Sequence, residues 1–251
     1  MRRVATVLIA VLAFAGLTAA GLTAAGCGGA SGGGAVSSDA VATVGDVAVT
    51  KADFQQLMTQ ARTQMQAQGV KVPKAGSAGY DHYVAQIVQY LVQEQVIAQS
   101  AKDLGVSVTD KQVADQIAQI EQTYGGEAKV LAQLKQNGMT MELLKRSIKG
   151  QALAQEAIGV VAKNASVSDA EVLAYWKAHK TELAKQKKTS TFAKAKATIE
   201  QTLLSAKQQQ LWNTWLDKRV KEIGVTYADG YDPAKLAASA TASASPSPAG
   251  G

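Results

Sequence analysis

Short β-prone runs open the central part of the chain, and helical periodicity takes over after them. Val41-Ala42-Thr43-Val44 and Val47-Ala48-Val49 are separated by Gly45-Asp46. A two-residue turn with glycine first predicts a tight hairpin. Thr50, with Asp53 three residues on, predicts a capped helix start. Phe54, Leu57, Met58, Ala61 and Met65 then recur on one face. Gly69 to Gly79, with Pro73, predicts a loop. From Tyr80 to Leu104 a broad apolar stripe (Tyr83, Ile87, Val88, Leu91, Val92, Ile97) predicts a helix buried among others. Gly105 stops it. Thr109 with Gln112 predicts a capping box, and the helix behind it runs through Val113, Ile117 and Ile120 to Gly125-Gly126. A short helix over residues 127–136 ends at Asn137-Gly138. Thr140 opens a longer one, through Leu143, Leu144, Ile148, Leu153, Ile158 and Val161. Ser168 with Glu171 caps a helix through Val172, Tyr175 and Trp176. Lys177 to Ser190 is polar and basic, and the pattern resumes from Phe192 to Ile223. Val225-Thr226-Tyr227 predicts a last short strand, placed to return to the first hairpin.

Composition narrows the class. The chain has 251 residues, 47% of them hydrophobic but only 5% aromatic, so an alanine-rich helical core is expected. One cysteine excludes an internal disulfide framework, and two histidines, His82 and His179, argue against a histidine-built metal centre. Both histidines are expected on helix surfaces. The formal charge of +6 is modest for nucleic-acid binding, and no nucleic-acid partner is expected. No phosphate-binding glycine loop follows a strand, and no Gly-x-Ser-x-Gly elbow is present. No cofactor is implied.

The two ends carry other signals. Met1-Arg2-Arg3 precedes an apolar run from Val4 to Ala20, the pattern of a secretory signal. Leu22-Thr23-Ala24-Ala25-Gly26-Cys27 resembles a bacterial lipobox, departing from it at Ala24, where a leucine-like residue is usual. That resemblance implies acylation of Cys27 and attachment to a lipid bilayer. The alternatives are an ordinary signal peptide with a stray cysteine, or an uncleaved anchor helix. Four units are expected: a lipoprotein signal peptide over 1–26, a flexible Gly/Ser tether over 27–39, a folded domain over 40–233, and a disordered Ala/Ser/Pro tail over 234–251.

The order of the folded segments resembles the SurA- and PrsA-type extracytoplasmic chaperones. Val41 to Thr50 resembles their opening hairpin and threonine-capped helix. Tyr80 to Val106 resembles the central helix, Met139 to Ile148 the next, and Val167 to Tyr175 the helix that leads into a parvulin domain. Val225 to Tyr231 resembles the closing strand. The resemblance implies a mostly α fold with a small β-hairpin joined by a C-terminal strand. In these chaperones a prolyl-isomerase domain often separates the last two helices. Here only Lys180 to Thr191 lies between them, and a domain needs about 50 residues. The chain is therefore expected to be a non-enzymatic, ATP-independent holdase on the outer face of a bacterial membrane, binding unfolded exported polypeptides. Oligomeric state stays open. Residual peptidyl-prolyl isomerisation, or a scaffold for one specific envelope partner, are the alternatives.

A holdase needs adaptable apolar surface. Flexible methionines and amphipathic aromatics suit it. The candidates are Met58, Met65, Tyr80, Tyr83, Tyr90, Tyr124, Met139, Met141 and Trp176; for each, ordinary core packing is the competing role. Trp212 and Trp215, three apart, are expected to give at least one side chain to the core. Lys185, Lys187, Lys188, Lys194 and Lys196 could approach an anionic surface, or simply solvate a helix end.

Overall fold

The computed structural model of the chain describes residues 36–185 and 191–244. Strands β1 (Ala40–Val44) and β2 (Val47–Thr50) pair antiparallel around the Gly45-Asp46 turn. Gly45 has a φ of 55°, and a Cβ there would sit 3.3 Å from Ile223 and 3.4 Å from the Gln99 amide. Conformation and space both demand glycine at this position. The same turn ties distant elements together. Its Gly45 N–H donates to the Gly224 carbonyl at 2.8 Å, and the Gln99 side chain donates to the Val44 carbonyl at 2.8 Å.

Helix α1 (Lys51–Ala67) starts at Thr50, whose Oγ1 accepts from the Asp53 N–H as expected. Helix α2 (Ala78–Leu104) is capped by Ser77 and ends at Gly105 in the left-handed region. The Thr109–Gln112 capping box opens α3 (Asp110–Tyr124). Then come α4 (Glu127–Gln136) and α5 (Met141–Val161), the latter capped by Thr140. Helix α6 (Asp169–Lys185) begins at Ser168, whose hydroxyl and N–H both donate to Glu171 at 2.9 Å. Helix α7 (Phe192–Ile223) leads into strand β3 (Val225–Tyr227), which pairs antiparallel with the free edge of β1. The sheet order is β2-β1-β3. The last strand therefore closes onto the first hairpin, and the fold is mostly helical with one small sheet, as the sequence leads one to expect.

Four apolar clusters hold these elements. The first joins the sheet, α1, α2 and Leu216 of α7, around Val41, Val44, Val88 and Val96, all fully buried. The second unites α3, α4 and α5 around Val130, Leu134 and Leu144. A third, with Ile97, Ala157 and Trp212, lies between α2, α5 and α7. There Trp212 stacks on Trp215 at 4.9 Å and is itself buried. The fourth, around Val172, Ala195 and Ile199, binds α6 to the first half of α7. Helix α2 is the hub, packing against α1, α5, α7 and β1.

One expectation is corrected, that of the tail; the helix expected through Trp176, with His179 on its surface, runs on to Lys185. Leu183 lies seven residues beyond Trp176 and eight beyond Tyr175, so one apolar face carries on into the fourth cluster. The tail expected to be disordered from residue 234 is helical through Ala244. Helix α8 (Pro233–Ala244) packs along α2. Asp232 Oδ1 accepts from the Ala234 N–H at 2.9 Å, Pro233 is buried at the first helical position, and Leu236 joins the first cluster. A composition of alanine and serine hid a good local start signal, an acidic cap followed by proline. The signal peptide, Cys27 and most of the tether lie outside the described residues, as do Lys187, Lys188 and residues 245–251.

Candidate functional site

The second cluster leaves a groove between α3 and α5. Along α3, Asp110, Val113, Ala114, Ile117, Ala118 and Glu121 recur at helical spacing and make one wall. Met141, Lys145 and Lys149, four residues apart on α5, make the other, with Glu127 at the start of α4. Val113 and Ile117 are nearly buried in the floor, while Ala114 and Ala118 are exposed. The two small side chains keep the groove open. Its volume is about 570 Å³, enough for several apolar side chains of a peptide. The walls carry opposite charge: acidic on α3 and α4, basic on α5. Lys149 Nζ reaches Asp110 Oδ1 at 3.3 Å and bridges one end.

Behind the groove, Arg146 fixes α5 to its neighbours. Its Nε and Nη2 donate to the two carboxylate oxygens of Glu94 on α2, at 2.8 and 3.2 Å. Its Nη1 donates to Asp53 on α1. Burial acts to lower the Arg146 pKa, but the Glu94 and Asp53 carboxylates outweigh it and hold the guanidinium above its usual range. The groove is therefore backed by a permanently charged clamp.

The sequence candidates scatter over the molecule. Met141 lines the groove, Met139 is buried beneath it, and Tyr124 packs half-buried against the same cluster. Met58, Met65, Tyr80 and Tyr83 do come together, around Val72 and Pro73 of the loop between α1 and α2. The space they leave is only about 10 Å³, room for no more than a water. Met58 and Met65 are buried packing residues there. Tyr90 sits half-buried against the first cluster, and burial, then the nearby Glu94 charge, pushes its phenol up to about 12. Trp176 packs edge-on against Phe192 at 5.6 Å inside the fourth cluster. Cys27 lies outside the described residues.

Sequence reasoning missed Ala114, Ala118, Lys145, Lys149 and Arg146. A signal for the alanines was present: they follow Val113 and Ile117 directly, so they sit at the rim of an apolar stripe where a larger side chain would fill the gap.

The comparisons with known proteins bear on this same region. A family model described as the SurA-like N-terminal domain matches residues 1–158. The chain belongs to that family. The match takes in the hairpin, α1 to α4 and most of α5, and with them both walls of the groove. Among curated relatives, the chain is similar to Foldase protein PrsA of Clostridium acetobutylicum, 26% identical over 148 residues, which is 56% of this chain and 44% of that protein. It is also similar to Foldase protein PrsA of Clostridium botulinum strain Langeland, 28% identical over 129 residues, which is 49% of this chain and 38% of that protein. The chain thus aligns with less than half the length of the curated relatives it matches. Among the described residues, no helix is long and apolar enough to cross a membrane.

Proposed function

We propose that this protein is an extracytoplasmic chaperone, tethered to a bilayer through Cys27, that holds unfolded exported polypeptides without ATP. The observation that carries the reading is the open α3–α5 groove, lying within the part of the chain that matches the SurA-like family. Apolar side chains of a client seat over Val113, Ile117 and Met141. The charged walls keep the site wetted when empty, which guards against self-association. Weak contacts of this kind suit many clients, and no chemical step is assigned to the groove. The foldase names of the relatives support a role in protein folding.

The test is aggregation suppression by the purified protein, using two unfolded clients, one without proline. Equal protection of both supports a holdase. No protection of either at stoichiometric ratios sinks the reading. Faster refolding of only the proline-containing client would point to isomerisation instead. Ala118→Trp fills the groove from its exposed wall. It is expected to reduce protection while leaving the unfolding midpoint near the parent's; undiminished protection would remove the groove from the proposal.

A further inference from the structure

The charge of this chain is not spread evenly. Residues 177–196 hold seven lysines and one glutamate, a net +6. That equals the formal charge of the whole protein, whose remaining residues balance at 19 basic and 19 acidic. The structure shows where this excess goes. Helix α6 and the first half of α7 form a two-helix arm with its own apolar cluster. Two of the seven lysines, Lys187 and Lys188, lie outside the described residues; the surface in question is formed without them.

On α6 the apolar side chains Val172, Tyr175, Trp176 and Leu183 face α7. Lys177, Lys180 and Lys185 are exposed; helical spacing puts Lys177 and Lys185 on the side away from α7 and Lys180 on its flank, beside Leu173. From Lys177 to Lys185 the helix rises by about 12 Å. Lys194, near the start of α7, is exposed as well. None of these four pairs with a described carboxylate. Two acids of the arm are paired elsewhere, Asp169 with Lys196 and Glu171 with Lys207, both at 2.7 Å; Glu200 acts on Lys196 as well, and Glu182 lies 3.5 Å from His179 Nδ1. Leu173 is 37% exposed, and it lies one helical turn before Lys177 on the same outward face.

We infer that the outward face of α6, with Lys177, Lys180, Lys185 and Leu173, docks on an anionic lipid bilayer. A row of uncompensated lysines is attracted to a negative surface, and an aliphatic side chain beside them inserts at the headgroup boundary. Nucleic acid fits less well. Binding single strands needs exposed aromatic faces for stacking, and here Trp176 and Phe192 are packed against each other and Tyr175 against His179. The inference stands apart from the holdase reading and from acylation of Cys27. It gives the arm a role of its own, fixing how the groove is presented above a membrane.

The experiment is vesicle co-sedimentation with residues 27–251 carrying Cys27→Ser, so that neither the apolar run from Val4 to Ala20 nor an acyl chain contributes. Vesicles of phosphatidylcholine with phosphatidylglycerol are compared with phosphatidylcholine alone. The variant Lys177→Gln/Lys180→Gln/Lys185→Gln is set against Lys102→Gln/Lys135→Gln/Lys221→Gln, which removes equal charge from other exposed positions. Each lysine near such a surface is worth about fivefold in affinity. The arm variant is therefore expected to lose at least about tenfold on the anionic vesicles, the control variant far less. Added salt weakens the parent's binding, and Leu173→Ala removes part of what salt leaves. Circular dichroism confirms that the arm is still helical. Equal loss in both triple variants would show an effect of net charge alone and overturn the inference. So would equal binding to both vesicle types, or arm-dependent binding to duplex DNA without binding to anionic vesicles.

Discussion

Arg146→Met tests how the groove is held in place. The substitution keeps the methylene stem and removes the guanidinium, so Glu94 loses two hydrogen bonds and Asp53 loses one. The side chains are 38% exposed for Arg146, 18% for Glu94 and 31% for Asp53. Fully exposed pairs are worth about 0.2–1 kcal/mol, and breaking a fully buried pair costs about 3–5 kcal/mol. These exposures lie between the limits, and the bidentate geometry favours the stronger side. The expected loss is about 2 kcal/mol. For a chain of this size that is a fall of about 4–8 °C in Tm. Urea unfolding followed by circular dichroism measures it, together with Glu94→Gln and the double variant. The coupling between the two sites is expected at about 1–2 kcal/mol. If Arg146→Met costs less than about 0.5 kcal/mol, the range of ordinary surface changes, or if the two substitutions simply add, the cluster does not clamp α5 to α1 and α2, and the reasoning fails.

Three further outcomes follow from the structure. Hydrogen bonding from Lys207, then from Ser168, holds the Glu171 pKa down at about 2 against an ordinary 4.5; the arm is therefore expected to keep this stabilisation above pH 4.5 and lose it as pH falls toward 2. Amide exchange at the start of α6 reads the loss, and an identical acid profile in Glu171→Gln would refute it. Burial raises the phenols of Tyr90 and Tyr227 from 10.0 to about 12; the unfolded chain ionises first, so stability falls as pH rises from 10 to 12, and Tyr90→Phe/Tyr227→Phe should flatten that fall in urea titrations. Leu144 is fully buried in the second cluster, and Leu144→Ala should cost about 2–5 kcal/mol in chemical unfolding; a cost below about 1 kcal/mol would mean that the cluster packs loosely.

The local grammar of this chain was readable without coordinates. Gly45-Asp46 specified a turn because glycine readily takes the positive φ, 55° here, that such a turn requires. Thr50, Thr109 and Thr140 marked helix starts because each hydroxyl can accept an otherwise orphaned N–H. These are short-range effects, and the residues that make them are neighbours in sequence. The return of β3 to β1 was legible too, from the short β-prone run Val225-Thr226-Tyr227 placed to close on the first hairpin.

What tertiary structure decided was which apolar residues find partners. Met58, Met65 and Met139 resemble adaptable surface residues on paper, yet all three are buried. Ala114 and Ala118 gave no strong signal alone, and they line the groove because the fold sets them, exposed, across from Met141, Lys145 and Lys149 of α5. Arg146, Glu94 and Asp53 lie on three helices far apart in sequence, so no spacing rule could join them. Helix α8 is the clearest case. A twelve-residue helix with one leucine is marginal by itself, and only the surface of α2 makes it form. Propensity and capping are properties of neighbours in sequence. Burial, clamps and grooves are properties of surfaces brought together, and they exist only once the chain has folded.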